Sequence, residues 1–248
     1  MPNIDSIAEA VPRRTMILYF LIDTSGSMAG DKIGSVNSGI KETILDIKEI
    51  TNPDAQVKIA CLTFSNDANW ITQNPVAIDD FSWSNLEAEG ITELGEACEK
   101  LNEKLSTKAF MGDATGNYAP AIILISDGNP TDFGKYKYDD SIAKLQANNW
   151  FKQAIKVAFA VGDDVNQEIL EKFTGSPETV ISIHNKSQLQ KMIRFVSVRA
   201  SQIASKSSSI KESSSDSGVS SKQQEVIEAL KDINIDTEAN DADDEYEW

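Results

Sequence analysis

The stretch 16–27, MILYFLIDTSGS, indicates the fold of this chain because an apolar run changes abruptly into a polar loop. Such an unbroken run fits a β-strand with both faces covered, as in a parallel sheet. The loop that follows carries Asp23, Ser25 and Ser27, and Gly26 permits a tight turn. The alternating positions of these three oxygen-bearing side chains allow them to point to one place. The stretch therefore predicts a buried strand with a polar site at its end.

Strand and helix patterns alternate along most of the remaining chain. Further apolar runs predict strands at 57–64, 121–125, 157–162 and 180–183. Apolar residues three or four positions apart predict helices at 33–47, 94–105, 142–151 and 189–203. Two short apolar segments around Pro75 predict a hairpin at a sheet edge. This order is typical of an α/β fold with a doubly wound, mostly parallel central sheet and helices on both faces.

Ligands of such sheets bind beyond the carboxyl ends of the strands, where the strand order reverses. Two further loops should reach that rim: Gly90-Ile91-Thr92 lies just before a predicted helix, and Ser126-Asp127-Gly128 follows a buried strand. The candidate metal ligands are Asp23, Ser25, Ser27, Thr92 and Asp127. Carboxylates and hydroxyls form a hard oxygen shell that suits Mg²⁺, or Mn²⁺ by similar chemistry, rather than zinc or copper. With few carboxylates in contact, such an ion keeps a position open for a carboxylate from a partner.

The loop 23–27 matches the D-x-S-x-S signature of von Willebrand factor A domains, and the region 13–203 resembles that family. The threonine loop, residues 90–92, and the aspartate loop, residues 126–128, follow in the order expected for the family. Ile91 stands where many relatives have a second glycine. The resemblance implies a Rossmann-like fold with a metal-ion-dependent adhesion site. It also implies that Ser25, Ser27 and Thr92 are hydroxyl ligands, with Asp23 and Asp127 holding the ion directly or through water.

A finer resemblance is to the bacterial TerY-like branch, which is associated with tellurium resistance. The stretches that carry it are 14–28, 36–39 and 126–132. Members of this branch often accompany a protein kinase and a PP2C-type phosphatase in stress-response or defence gene sets. The resemblance therefore implies a signalling or scaffold role among those partners.

Charge and composition divide the chain. Of 248 residues, 23 are basic and 39 acidic, which gives a net charge of −16. Residues 201–248 contain four basic and twelve acidic residues and so carry half of that charge. Ten of the residues 205–221 are serine, as in a flexible linker. We expect an N-terminal extension at 1–12, the main domain at 13–204, a serine-rich linker at 205–221, and a short amphipathic helix with an acidic tail at 222–248.

The same composition excludes some classes of function and favours one compartment. Non-specific binding to nucleic acid or to an anionic membrane depends on clusters of lysine and arginine, which this chain lacks. No run approaches the roughly 18 apolar residues of a spanning helix, and the N-terminus has no basic region of a signal peptide. Cys61 and Cys98 lie inside apolar periodic segments, so we expect reduced core thiols in a cytoplasmic protein.

Alternatives to a binding module remain open at this point. The same ion could activate water for phosphate-ester hydrolysis, although no general acid or catalytic lysine is evident. In a third hypothesis the chain is a scaffold that binds only through its C-terminal helix, which Ser221 and Gln224 would start as a capping box, and its acidic end. A tail carboxylate could also plug the chain's own metal site.

Overall fold

The computed structural model describes residues 13–49, 55–112, 116–131, 136–163, 165–204 and 220–237. The expected N-terminal extension, nearly all of the serine-rich linker and the acidic end lie outside the described residues. The strands are β1 (Arg14–Asp23), β2 (Ala55–Phe64), β3 (Ala68–Trp70), β4 (Val76–Ala77), β5 (Ala121–Ser126), β6 (Ile155–Val161) and β7 (Val180–Ile183). The helices are α1 (Asp31–Glu49), α2 (Leu94–Lys104), α3 (Tyr138–Ala147), α4 (Asn149–Gln153), α5 (Gln167–Thr174), α6 (Lys186–Ala204) and α7 (Ser221–Thr237).

The strands form one sheet in the order β3-β2-β1-β5-β6-β7, with β4 also paired to β2. Strands β2, β1, β5, β6 and β7 pair in parallel, whereas β3 and β4 run antiparallel to β2. The predicted α/β fold with a mostly parallel sheet is thus confirmed. The expected edge hairpin is wrong in one respect: β3 and β4 do not pair with each other but follow one another along the free edge of β2.

Two apolar layers cover the sheet, one on each face. Along β1, Met16, Leu18, Phe20 and Ile22 belong to the layer with α1 and α6, and the residues between them belong to the layer with α2, α3 and α5. This burial on both faces explains the unbroken apolar run of β1.

Both cysteines are free and fully buried, as expected for core thiols. Cys61 lies in the layer with α1 and α6, and Cys98 lies in the layer on the other face of the sheet. The sheet therefore separates the two thiols, so they do not form a disulfide with each other.

The predicted helix at 142–151 is instead two helices, α3 and α4, separated at Asn148. The Asn148 side chain accepts hydrogen bonds from the backbone N–H groups of Trp150 (2.8 Å) and Phe151 (3.4 Å) and so caps α4. Asparagine is a strong N-cap residue. The apolar periodicity continued across this break and concealed it.

Helix α7 packs against α6 and β6 of the same chain. Its apolar stripe, as far as the side chains are described, consists of Val226, Ile227 and Leu230, which are buried, and Val226 and Leu230 lie in the layer that also holds α1 and α6. The N-cap is Ser220 rather than the predicted Ser221, because the Ser220 Oγ accepts a hydrogen bond from the Gln223 N–H at 3.2 Å. Among the described residues, no helix is both long enough and apolar enough to cross a membrane.

Candidate metal centre

The candidate site lies where the chain reverses the direction in which it adds strands to the sheet. Strand β1 stands between β2 and β5, so the crossover from β1 leads to one side and the later strands lie on the other. Asp23 ends β1, and Asp127 directly follows β5. The two carboxylates therefore come from neighbouring parallel strands at the switch point, where ligands of such sheets bind.

Asp23 is completely buried, and its carboxylate is held on both sides. Its Oδ1 accepts a hydrogen bond from the Ser25 N–H at 2.8 Å, and its Oδ2 accepts one from the Ser126 hydroxyl at 2.6 Å. The Ser126 Oγ in turn accepts a hydrogen bond from the Gly128 N–H at 2.9 Å. Ser126 therefore links Asp23, in the loop 23–27, to the backbone of the aspartate loop.

Burial raises the pKa of Asp23 from 3.8 to about 6, and the nearby charge of Asp127 raises it further. The hydrogen bonds from Ser126 and Ser25 lower the pKa and only partly offset the loss of solvation. A buried carboxylate next to a second carboxylate is costly unless a positive charge compensates both. The carboxylates of Asp23 and Asp127 together therefore favour the binding of a cation.

The two serines of the first loop point their hydroxyls to the same place. The Oγ atoms of Ser25 and Ser27 lie 3.0 Å apart. Ser25 is buried, whereas Ser27 is exposed at the rim. The Gly26 N–H donates to the Gly90 carbonyl oxygen at 2.9 Å and so joins the first loop to the threonine loop.

Thr131 holds the threonine loop in place. The Thr92 N–H donates to the Thr131 Oγ1 at 3.2 Å, and the Thr131 N–H donates to the Thr92 carbonyl oxygen at 3.0 Å. Gly90 has a φ of +88°, and a Cβ at this position would lie 2.5 Å from the Asn66 Oδ1. That oxygen accepts a hydrogen bond from the Ile91 N–H at 3.1 Å. Both contacts fix the backbone immediately around Thr92.

The structure brings the predicted site residues together at one cavity of about 400 Å³. Ser25, Ser27, Thr92 and Asp127 line it, and Asp23 lies beneath, bonded to the Ser25 backbone. Within the described ranges, no cluster of three or more histidine, cysteine, aspartate or glutamate side chains could hold a metal ion. The oxygen groups gathered at the cavity are two carboxylates and several hydroxyls, and such groups fit a hard divalent cation such as Mg²⁺.

Sequence reasoning missed three residues of this site. Thr131 and Lys32 also line the cavity, and Ser126 supports Asp23 from below. Thr131 and Lys32 lie close in sequence to Asp127 and Ser27, but no local pattern marks them, because their contacts are with Thr92 and Gly162, which are far away along the chain. The sequence could have identified Ser126 as a residue of the site, because it ends a predicted buried strand directly before the candidate ligand Asp127.

The comparisons with known families and proteins give matches that cover most of the chain. The family model described as "von Willebrand factor type A domain" matches residues 18–195. The inter-alpha-trypsin inhibitor heavy chain H2 of Mus musculus is 26% identical over 195 residues, which are 73% of this chain and 20% of that protein. The chain thus spans about a fifth of this curated relative.

Solved structures show the same fold at low identity. A von Willebrand factor type A protein from Catenulispora acidiphila has a TM-score of 0.58 at 17% identity, over 75% of this chain and 43% of that one. A second match is proximal thread matrix protein 1 from the mussel byssus, in a structure with zinc in its metal-ion-dependent adhesion site (MIDAS) motif. It has a TM-score of 0.53 at 18% identity, over 76% of this chain and 46% of that one. The pilus adhesin SpaC from Lactobacillus rhamnosus GG has a TM-score of 0.59 at 14% identity, over 75% of this chain and 30% of that one.

Proposed function

Because the chain belongs to the von Willebrand factor type A domain family, we propose that it is a metal-dependent protein-interaction module. Domains of this family are typically adhesion or interaction modules with a divalent-metal site, and they are usually non-catalytic. In this proposal Asp23, Ser25, Ser27, Thr92 and Asp127 hold the ion. The ligand is an aspartate or glutamate side chain of a partner protein.

The observation that carries the proposal is the buried carboxylate of Asp23 beneath a cavity lined by hydroxyls and a second carboxylate. A divalent cation held by these groups would supply positive charge to an outside carboxylate. Ser25 and Ser126 hold Asp23 by hydrogen bonds and prevent it from turning away. Thr131 fixes the backbone that presents Thr92. In this proposal the site binds its ligand and neither makes nor breaks a covalent bond.

The chemistry of the donors favours Mg²⁺ or Mn²⁺. Oxygen donors without histidine or cysteine are typical of hard cations, whereas protein zinc sites usually contain nitrogen or sulfur ligands. The mussel protein carries zinc in its MIDAS motif, so zinc belongs among the ions to be compared.

Titration calorimetry with Mg²⁺, Mn²⁺ and Zn²⁺ tests the proposed ligands. Thr92→Ala and Asp127→Ala should each weaken Mg²⁺ binding by more than tenfold, because each removes a donor oxygen. The exposed Thr107→Ala serves as the matched control and should bind as the unchanged protein does. Equal Mg²⁺ affinity in all four proteins would contradict the assignment.

A capture experiment then tests the partner interaction. The chain immobilised in Mg²⁺ should retain a host protein that is released by EDTA and is not captured by Thr92→Ala. Magnesium-dependent hydrolysis of a generic phosphoester that disappears in Asp127→Ala would instead favour the phosphoesterase hypothesis.

The finer part of the proposal places the module in a cytoplasmic bacterial stress-response or defence assembly, with a protein kinase and a PP2C-type phosphatase as partners. It is supported by the similarity of 14–28, 36–39 and 126–132 to the TerY-like, tellurium-resistance-associated branch. Identification of the EDTA-released proteins by mass spectrometry tests it. Recovery of neither a kinase nor a phosphatase would contradict it.

A further inference from the structure

Lys32 is a cation beside the candidate metal centre that the metal ligands do not explain. It lies in the first turn of α1 and lines the same cavity as Ser27 and Asp127. Among the residues that the structure describes, it makes no hydrogen bond or ion pair. A positive charge near a helix N-terminus is unfavourable because of the helix dipole. The position of Lys32 therefore does not serve the stability of α1.

Other lysines of the chain contrast with Lys32. Lys100 pairs with Glu96, Lys144 with Glu99, and Lys172 with Asp139. In a chain with 39 acidic and 23 basic residues, acidic partners are abundant. A half-buried lysine that faces the cavity without one of these partners is thus available to an outside anion.

The fold provides a defined place for the Lys32 amine. A Cβ added to Gly162 would lie 2.8 Å from the Lys32 Nζ, so the amine occupies the space that a side chain at residue 162 would fill. Gly162 also has a φ of +103°, which disfavours a larger residue there. The amine therefore lies over the end of β6.

The amine and a candidate metal ligand lie at the ends of neighbouring strands. Asp127 directly follows β5 and Gly162 directly follows β6, and Ser126 of β5 pairs with Ala160 of β6. Lys32 and Asp127 line the same cavity, so a ligand at the metal centre can present a second group to the amine.

We propose that the partner presents two acidic side chains to this cavity, one to the metal and one to Lys32. This inference rests on the proposed function and adds a second contact to it. The two acidic side chains would be held differently: the first would bind the metal, whose charge Asp23 and Asp127 already balance, and the second would meet the remaining positive charge of the cavity at Lys32. The occupant is an acidic segment of another protein.

Synthetic peptides with one or two glutamates in a glycine chain test the proposal. The second glutamate is placed one, two, three or four residues after the first, and binding to the full chain in Mg²⁺ is followed by NMR titration. We expect the best two-glutamate peptide to bind about fivefold more tightly than the one-glutamate peptide, in keeping with an exposed ion pair.

Variants identify the source of that gain. Lys32→Gln should remove the gain and leave binding of the one-glutamate peptide within about twofold. Lys32→Glu should make the second glutamate unfavourable. Lys41→Gln, an exposed lysine on the same helix, should keep the gain. Circular dichroism and the thermal midpoint of each variant show whether it is folded.

Each outcome bears on one of the two proposals. A gain that persists in Lys32→Gln, or no gain at any spacing, would overturn the two-acid inference. A gain for a one-glutamate peptide with an added phosphoserine, but for none of the two-glutamate peptides, would also overturn it and favour a phosphopeptide. If no peptide bound in Mg²⁺, including the one-glutamate peptide, the proposed function itself would fail.

Discussion

Asp23 shows how one residue can be costly to the fold and useful to the site. Its side chain lies fully buried at the end of β1, where burial disfavours the charged form. The hydrogen bonds from Ser25 and Ser126 orient the carboxylate without fully compensating its charge. A bound cation would compensate it, so the residue would couple metal binding to stability.

The stability of the metal-free protein should therefore depend on the protonation of Asp23. The pKa is raised from 3.8 to about 6 in the folded state, so the folded protein binds a proton that the unfolded chain has released. The resulting stability is present below about pH 4 and is lost as the pH rises through 6, by about 3 kcal/mol in total. Asp23→Asn should lack this loss. Urea unfolding in EDTA at pH 4.5 and 7.5 measures the difference between the two proteins.

Added Mg²⁺ provides the matching control at the same residue. At pH 7.5 it should raise the unfolding midpoint of the unchanged protein but not that of Asp23→Asn. An equal pH dependence of the two proteins in EDTA would contradict the role assigned to Asp23.

Thr131 is a second residue with a defined role, because it positions the backbone of Thr92. Thr131→Val keeps the shape and the Thr131 N–H bond to the Thr92 carbonyl oxygen but removes the acceptor for the Thr92 N–H, so the Thr92 loop should be held less firmly. We expect Mg²⁺ affinity to fall about tenfold, as is common when a group that supports a metal ligand is lost. Calorimetry measures the affinity, and Thr107→Val is the control. Unchanged affinity would show that the loop does not need the Thr131 hydroxyl.

At the scale of elements, α7 completes the edge of the sheet with one side chain. The Gln223 Oε1 accepts a hydrogen bond from the Lys156 N–H at 2.6 Å, and its Nε2 donates to the Lys156 carbonyl oxygen at 2.7 Å. Strand β7 begins to pair with β6 only at Ala158. The Gln223 amide therefore satisfies the backbone of β6 where no strand reaches it, much as a peptide group of a neighbouring strand would.

This contact should make a measurable contribution to stability. Gln223→Ala would leave the buried N–H and C=O of Lys156 without these partners, which should cost about 2 to 3 kcal/mol. The exposed neighbour Gln224→Ala is the control and should change stability by less than about 0.5 kcal/mol. Urea denaturation measures both. Equal effects of the two substitutions would mean that water replaces the amide without cost.

At the scale of the whole molecule, α7 uses its apolar face within the chain. Val226, Ile227 and Leu230 are buried, and the Lys222 Nζ donates to the Ala204 carbonyl oxygen at the end of α6 at 2.6 Å. A partner could use that face only by displacing the helix. This arrangement favours the metal centre over the apolar stripe of α7 as the interaction surface.

Removal of residues 205–248 should therefore destabilise the rest of the chain. The loss of three buried apolar side chains and of the Gln223 bonds should cost about 3 kcal/mol or more. A synthetic peptide of residues 220–237 should restore part of this stability when added in excess, because ligand binding to the folded state stabilises it. The same peptide with Leu230→Ser is the control. A truncated chain as stable as the full one would contradict this role of α7.

The local pattern of the sequence was sufficient for much of the fold and for the choice of candidate ligands. The apolar run 16–22 reports burial on both faces of β1, and the polar residues after β1 and β5 mark strand ends that a parallel sheet brings to one edge. These features depend on neighbours along the chain, so Asp23 and Asp127 could be selected before any contact was known.

Only the tertiary structure decided the contacts between distant segments. The amide of Gln223 on β6, the bond of Thr131 to the Thr92 backbone and the approach of Lys32 to Gly162 all join residues far apart in sequence. Periodicity reports whether a side chain is buried but not which group it meets. Polar contacts of this kind depend on the exact distance and direction between two atoms, which packing of the whole sheet and its helices determines.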